Sequence, residues 1–463
     1  MKKHRLIEID WPEFGTAEAP APATATEFEA RVAAAREAMQ RDRLTHLVVY
    51  ADREHFANLA YLTGFDPRFE EAVLVIGTEG KPLLIVGNEC EGYLPISPLY
   101  QTGGLRSERF QSFSLLGQPR QHSRLIRDIF ASEGIGPGAK IGCVGYKYFA
   151  ESEHPDSRHA IDVPAYLTDT VRELAGRENV INATAILMHP GEGLRSYCSP
   201  AEIAYFEFTN IVASEGIRRM LFGLREGMID FELAQLAGFN GLPIGCYMTL
   251  AVGDRPGLSS PSGARIRCGD PLATNVCYWG SNICRAGWIA RSADDLPDAA
   301  RDYVENFAGV YFEVMAEWFN LLRIATPGDA LDQLIRTKLP FQKFGIFLNA
   351  GHLIHLDEWV SSPIYPGSDV RLHSGMAIQV DVIPSSSTYF STRMEDGVVL
   401  ADAELRGQLK QLYPDCYTRC QQRRTFMAEV LGIELPEQVL PLSNMPAIVP
   451  PFFLEPQRVF TLR

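Results

Sequence analysis

The sequence predicts two joined domains, an α/β layer domain followed by an α+β domain, and three observations carry that expectation. Strand-sized apolar runs alternate with helix-like stretches over roughly the first 190 residues. Ser199-Pro200-Ala201-Glu202 then combines an N-cap serine, a proline at the first helical position and a glutamate at the third, a capping box that opens a long amphipathic helix. Beyond it helices come first and antiparallel-type strands later, an α+β order.

Taken in order, residues 1–27 read as a flexible lead-in, because TAEAPAPATATE at 16–27 is rich in Ala, Pro and Thr. The first domain spans 28–190. Apolar residues recur at helical spacing from Phe28 to about Asp42. LVVY at 47–50, AVLVIG at 72–77, PLLIVG at 82–87 and IGCVG at 141–145 are the right length for strands and are bounded by Gly, Asp or Pro. Helix-like stretches lie between them at 121–133 and 163–176. In the second domain, 196–463, the capped helix runs to about Phe222, a second is predicted over 297–323, and a third from Asp329 to about Lys338. Asp294, Asp295 and Asp298 suit the start of the second helix. Strands are predicted at 271–279, 283–291, 376–383 and 389–400, and the Pro-rich tail from 434 is expected to wrap the surface as ordered coil.

Composition narrows the function classes. With 43 Lys+Arg against 57 Asp+Glu, the net charge of −14 argues against a nucleic-acid backbone binder. No apolar run approaches the ~20 residues that span a bilayer. The start, MKKHRLIEIDWPEFG, lacks the apolar core of a secretory signal. Nine scattered cysteines, an odd number, imply reduced thiols and a cytoplasmic setting, in which the sequon Asn182-Ala-Thr184 has no meaning.

Four segments of the second half gather the polar groups a site needs. Gly351-His352-Leu-Ile-His355-Leu-Asp357-Glu358 holds two imidazoles and two acids, fit for metal ligation or proton transfer, or for a solvated loop. Gly375-Met-Ala-Ile-Gln-Val-Asp381 sets a carboxylate at the end of an apolar run, where it needs a partner unless it merely starts a turn. In Arg393-Met394-Glu395-Asp396, strand alternation puts Arg393 and Glu395 on one face, as an ion pair or a pocket wall. The fourth segment, Asn275 to Arg285, carries Asn275, Cys277, Asn282 and Cys284.

Together and in this order, these segments resemble the creatinase/aminopeptidase P family. Ala60-Tyr61-Leu62-Thr63-Gly64-Phe65 is similar to its YLTGF strand and turn, SPAEIAYFEFTNIVASEGI to its opening helix, Gly269-Asp270 to the turn before its first ligand strand, and Gly351-His352, Gly375-Met376 and Arg393-x-Glu395-Asp396 to its three later motifs. The resemblance implies a creatinase-like amino-terminal domain, a pita-bread carboxy-terminal domain and a homodimer. In such dimers the amino-terminal domain reaches over the neighbour's site, for which Arg68 and Glu70 are candidates if they are not simply solvent-exposed.

The family's peptidases hold two divalent ions with two Asp, one His and two Glu. Here the two Asp positions fall on Asn275 and Asn282, while His352 and Glu395 are kept and the remaining Glu is Asp381. The second family histidine falls on Trp359, and the one expected within 257–263 has no counterpart. Two carboxylates cannot balance the roughly four positive charges of a two-metal centre. His352, Asp381 and Glu395 could hold one divalent ion; otherwise the expectation is no cofactor.

The resemblance extends to metal-free members such as creatinase and ectoine hydrolase. It therefore implies a hydrolase cleaving a C–N bond in a small molecule, with His352, His355, Asp381 and Glu395 catalytic and Asn275, Asn282, Arg393, Trp359 and Arg68 binding substrate. An atypical Xaa-Pro-type metallopeptidase and a non-catalytic pita-bread binding protein are the alternatives. Cys277 and Cys284 are read as small buried hydrophobes or one half of a Cys–His pair, and Arg285 as structural. No nucleic-acid or membrane partner is expected.

Overall fold

The computed structural model describes residues 3–463. The chain divides into two compact units, one of residues 21–195 and one of residues 196–463 together with 1–20.

The 21–195 unit is an α/β layer around a six-stranded sheet, ordered Arg106–Arg109, Leu83–Val86, Ala72–Gly77, His46–Ala51, Ile141–Val144, Val180–Asn182. His46–Ala51 pairs antiparallel with Ala72–Gly77 and parallel with Ile141–Val144, so the sheet is mixed. Its central strands are continuous apolar runs because both faces are covered. Helices Ala25–Arg41 and Ala165–Ala175 fall where the periodicity predicts them.

The YLTGF segment differs from expectation. Ala57–Thr63 is a helix, and Gly64, at φ 70°, ends it by donating its N–H to the Ala60 carbonyl at 2.8 Å. A glycine in the left-handed region is the common helix stop, so this residue pattern closes a helix as readily as it turns a strand. Glu70 is buried, accepting the backbone N–H of Cys90 at 2.9 Å and of Glu89 at 3.3 Å. Arg68 (φ 58°) lies 3.5 Å from Asp66 and stacks on Tyr93 at 4.9 Å.

The larger unit is built on two antiparallel four-stranded sheets. One runs Arg393–Glu395, Ser281–Trp288, Pro271–Tyr278, Leu250–Val252; the other runs His352–Leu353, Ala377–Gln379, Gly397–Leu400, Val439–Pro441. The helix Pro200–Gly223 starts with the predicted capping box, Ser199 accepting from Glu202 N and Glu202 accepting from Ser199 N. Gly280 makes the turn between the hairpin strands at φ 73°, and a Cβ there would stand 1.9 Å from the Phe206 ring.

Several expectations are corrected here. The predicted strand over 389–400 is two short strands, Arg393–Glu395 and Gly397–Leu400, one in each sheet, with Asp396 at the crossing. The helix expected over 297–323 is a 3₁₀ turn at Asp298–Ala300, a π turn at Val304–Ala308 and an α-helix only over Gly309–Leu321. Gly309 sits against the His4 ring, which a Cβ would meet at 2.2 Å. The lead-in is also ordered in part: Arg5–Glu8 pairs with Arg458–Thr461, and Trp11 and Phe14 are buried. The Pro-rich tail lies inside, with 439–453 buried throughout. Its apolar side chains gain by burial, and arginines take up its carbonyls: Arg285 binds those of Met445 and Ile448, and Arg424 those of Pro436 and Val439.

Arg285 is structural, as expected. Its Nη2 bridges both Asp396 oxygens at 3.1 and 2.9 Å, Nε donates to Ile448 O, and Nη1 donates to the Cys284 and Glu395 carbonyls. Asp396 also accepts Ala447 N at 3.0 Å. Removing one partner of such a pair leaves a buried charge uncompensated, so Asp396→Ala should cost about 3–5 kcal/mol. Denaturant and thermal melts should show it, and an unchanged midpoint would reject this role.

Candidate functional site

Strand alternation and register assemble the site. On the hairpin, Asn275 pairs with Cys284 and Asn282 with Cys277, so all four side chains share one face. Cys284 is opposite Glu395 on the next strand, and His352 is opposite Gln379 in the second sheet. Asp381 follows Gln379 by two residues. Asn275, Asn282, His352, Gln379, Asp381 and Glu395 are all buried, while Glu358, Trp359 and Arg393 are half-buried.

A chain of amides runs through this cluster in a fixed direction. The Thr249 backbone N–H and hydroxyl both donate to Asn275 Oδ1, at 2.6 and 2.7 Å. Asn275 Nδ2 donates to Asn282 Oδ1 at 3.0 Å, and Asn282 Nδ2 donates to Glu395 Oε1 at 2.8 Å. A backbone N–H can only donate. It therefore sets the orientation of Asn275, which sets that of Asn282, which turns an N–H donor toward the carboxylate. Gln379 adds a second donor to Glu395 Oε1 at 3.3 Å.

On the other side of the cluster, His352 Nε2 lies 3.1 Å from Glu358 Oε1 and 3.9 Å from Asp381 Oδ2. Trp359 stacks on its ring, centroids 4.0 Å apart. Burial alone would lower the His352 pKa, but the charges of Glu358, Asp381 and Glu395 and the Glu358 hydrogen bond raise it to about 9. Burial likewise works to raise Glu358, yet the His352 charge and hydrogen bond hold it below the usual range. Glu395 is pushed well up by burial and by the Asp381 and Glu358 charges. Burial also raises Asp381, against the pull of His352 and Arg393. At neutral pH the cluster thus holds an imidazolium–carboxylate pair beside two carboxyls that resist double ionisation. The Arg393 guanidinium lies within electrostatic reach of Cys284, Asp381 and Glu395.

Burial pushes the thiols of Cys277 and Cys284 well up, so both are neutral and neither is poised as a nucleophile. His355 does not join the cluster. Its Nε2 lies 3.0 Å from Glu202 Oε1 at the start of the capped helix, and the Phe206 ring meets it edge-on at 5.1 Å. Three residues after His352 the chain has left the strand, so the second imidazole projects elsewhere. Arg68 belongs to the other unit, with Asp66 and Tyr93 as its neighbours.

One member of the cluster, Gln379, is missed by the sequence reading, although it stands two residues before Asp381 on an alternating strand, a signal that could have found it. Glu358 is one of the two acids of the His-rich segment, and only the folded loop brings it back to His352.

One donor atom each from His352, Asp381 and Glu395 lie within 4.8 Å of one another, close enough for a single cation. A two-metal centre does not fit. Asn282 aims an N–H at Glu395, Asn275 Oδ1 already accepts two hydrogen bonds, and neither amide carries the negative charge that two divalent ions require. Arg393 adds a positive charge at the same carboxylates. Manganese-loaded protein should therefore show no spin-coupled two-ion signal in electron paramagnetic resonance; a multiline dimanganese spectrum would overturn this.

The His352 shift also sets a pH dependence. A folded pKa of about 9 against an unfolded 6.5 means that the stabilisation is fully present below about pH 6.5 and is lost as the pH rises through 9. The loss should be on the order of 3 kcal/mol. Chemical denaturation at pH 6 and pH 9 should show it in the native chain and not in His352→Asn.

No family model and no curated protein matches the sequence. Solved structures do match. A prolidase from Pyrococcus horikoshii OT3 superposes with a TM-score of 0.61 at 15% identity, over 80% of this chain and 95% of its own. A dipeptidase from Mycobacterium ulcerans gives 0.60 at 17% identity, over 92% and 98%. An X-Pro aminopeptidase from Thermotoga maritima MSB8 gives 0.60 at 15% identity, over 91% and 98%. The chain has the pita-bread fold that these structures share, at sequence identities of 15–17%.

Proposed function

We propose that the chain is a hydrolase that cleaves a C–N bond in a small, amide- or peptide-like substrate, using the side chains of the His352 cluster without a two-metal centre. The observation that carries this reading is the Thr249–Asn275–Asn282–Glu395 relay, which sets amide donors where a dinuclear site needs carboxylates. The sequence alone set a peptidase behind other small-molecule hydrolases. The superposed structures bear the names of a prolidase, a dipeptidase and an X-Pro aminopeptidase, and this brings a dipeptide-like amide to the front.

In this reading Glu358 is the general base. It is the carboxylate of the cluster held below the usual range, and its side chain keeps 20% exposure for contact with water. The imidazolium of His352, its ring held by Trp359, protonates the leaving nitrogen. Arg393 lies where it can stabilise negative charge on the substrate's carbonyl oxygen, and the Asp381–Glu395 pair positions a substrate N–H. The homodimer and the cytoplasmic setting implied by the resemblance and by the nine free cysteines belong to the same proposal. No helix among the described residues is long and apolar enough to cross a membrane.

The second reading is an atypical Xaa-Pro metallopeptidase, favoured by the neighbours' names. A panel of dipeptides, X-Pro dipeptides and small amides separates the two. The proposal expects turnover that added Mn²⁺ or Co²⁺ does not raise. It also expects a loss of roughly 10²–10⁴-fold in His352→Asn and in Glu358→Gln, with circular dichroism unchanged. X-Pro cleavage that rises steeply with added metal would favour the peptidase, and full activity in both variants would reject the assigned roles.

A further inference from the structure

A second cluster in the larger unit lies apart from the residues assigned to hydrolysis. Cys198, Glu202 and His355 each offer one ligand atom within 4.8 Å of the other two. Cys198 and His355 are buried, at 6% and 0% exposure, and the Glu202 side chain is 11% exposed.

The backbone around them is fixed. Cys198 donates its N–H to Gly375 O at 2.8 Å. His355 donates its N–H to Asp357 O at 3.1 Å, and its carbonyl accepts Gly280 N at 2.6 Å. Glu202 Oε2 accepts the Ser199 N–H of the capping box at 2.9 Å, leaving Oε1 3.0 Å from His355 Nε2. Apolar side chains including Ile203, Phe206, Ile354 and Ala377 pack around Cys198.

We propose that this is a structural zinc site, ligated by Cys198 Sγ, Glu202 Oε1 and a ring nitrogen of His355. A thiolate, a carboxylate and a neutral imidazole supply two negative charges, which match a divalent ion. At bond lengths of about 2.3 Å to sulfur and about 2.0–2.2 Å to nitrogen and oxygen, tetrahedral donors lie well within the spacing found here. The soft sulfur selects zinc over magnesium, calcium or manganese. Cys198 also sits directly before the N-cap of a 24-residue helix, whose positive end favours the thiolate. The fourth position falls to a water or a backbone carbonyl. Binding ties the start of that helix to the segment after His352–Leu353, more than 150 residues along the chain, and so holds the loop that carries Glu358.

Zinc content and cobalt spectroscopy test the site independently of any turnover. The purified full chain should retain about one zinc per chain through dialysis, falling at least tenfold in Cys198→Ser and in His355→Gln but not in His352→Asn. Cobalt-exchanged protein should show an intense thiolate-to-cobalt band in the near ultraviolet. The band should be absent from Cys198→Ser and unchanged in His352→Asn, since the His352 cluster of imidazole and carboxylates has no sulfur ligand. A native chain that takes up no zinc and gives no such band overturns the proposal, whether or not the variants fold. A band that survives Cys198→Ser overturns it as well.

Discussion

The geometry of the larger unit depends on one buried guanidinium. Arg285 leaves the hairpin, binds both oxygens of Asp396 and donates to carbonyls of Cys284, Glu395, Met445 and Ile448. A planar cation with five N–H groups is the side chain able to satisfy such a set. Asp396 stands where the chain passes from one four-stranded sheet to the other, so the pair holds both sheets and the buried tail in register. Glu395, one residue earlier, inherits its position from that anchor. The site's central carboxylate is thus placed by an ion pair that takes no part in the chemistry.

Around Glu395 the problem is charge. Burying several acids in one cluster is costly unless each finds a cation or a donor. Divalent ions are one means of meeting that need. This chain meets it with amide donors from Asn282 and Gln379, an imidazolium at His352 and a guanidinium at Arg393. The amides of Asn275 and Asn282 therefore do more than avoid adding negative charge. They turn an N–H donor toward Glu395, because one backbone N–H at Thr249 determines which end of each amide points inward. The remaining carboxyl pair resists losing both protons, and the ionised acid of the cluster is the one beside the imidazolium.

Much of this was legible in the sequence where the signal is local. The capping box at Ser199, the strand-sized runs of the α/β layer and the strands on either side of Gly280 follow from patterns of a few residues. The family resemblance, and no spacing rule by itself, directed attention to Asn275, Asn282, His352, Asp381 and Glu395, which the fold brings into one cluster. Errors arose where a local pattern has two solutions. A short apolar segment ending in glycine served a helix at Ala57–Thr63 and not a strand, and a Pro-rich tail that looked like surface coil is buried because arginines take up its carbonyls. His355 is only three residues from His352 in sequence, yet the chain direction between them sends the second ring toward Glu202.

The sequence by itself determined the fold class, through its capping box, its strand-sized apolar runs and the motifs that carry the family resemblance. Only the tertiary structure decided which groups meet. It paired Glu358 with His352, set the direction of the amide relay, joined Cys198 and Glu202 to a histidine more than 150 residues away, and turned Arg285 into an anchor. These outcomes depend on strand register and on hydrogen-bond donors far apart in the chain, and no local pattern encodes a distance in space.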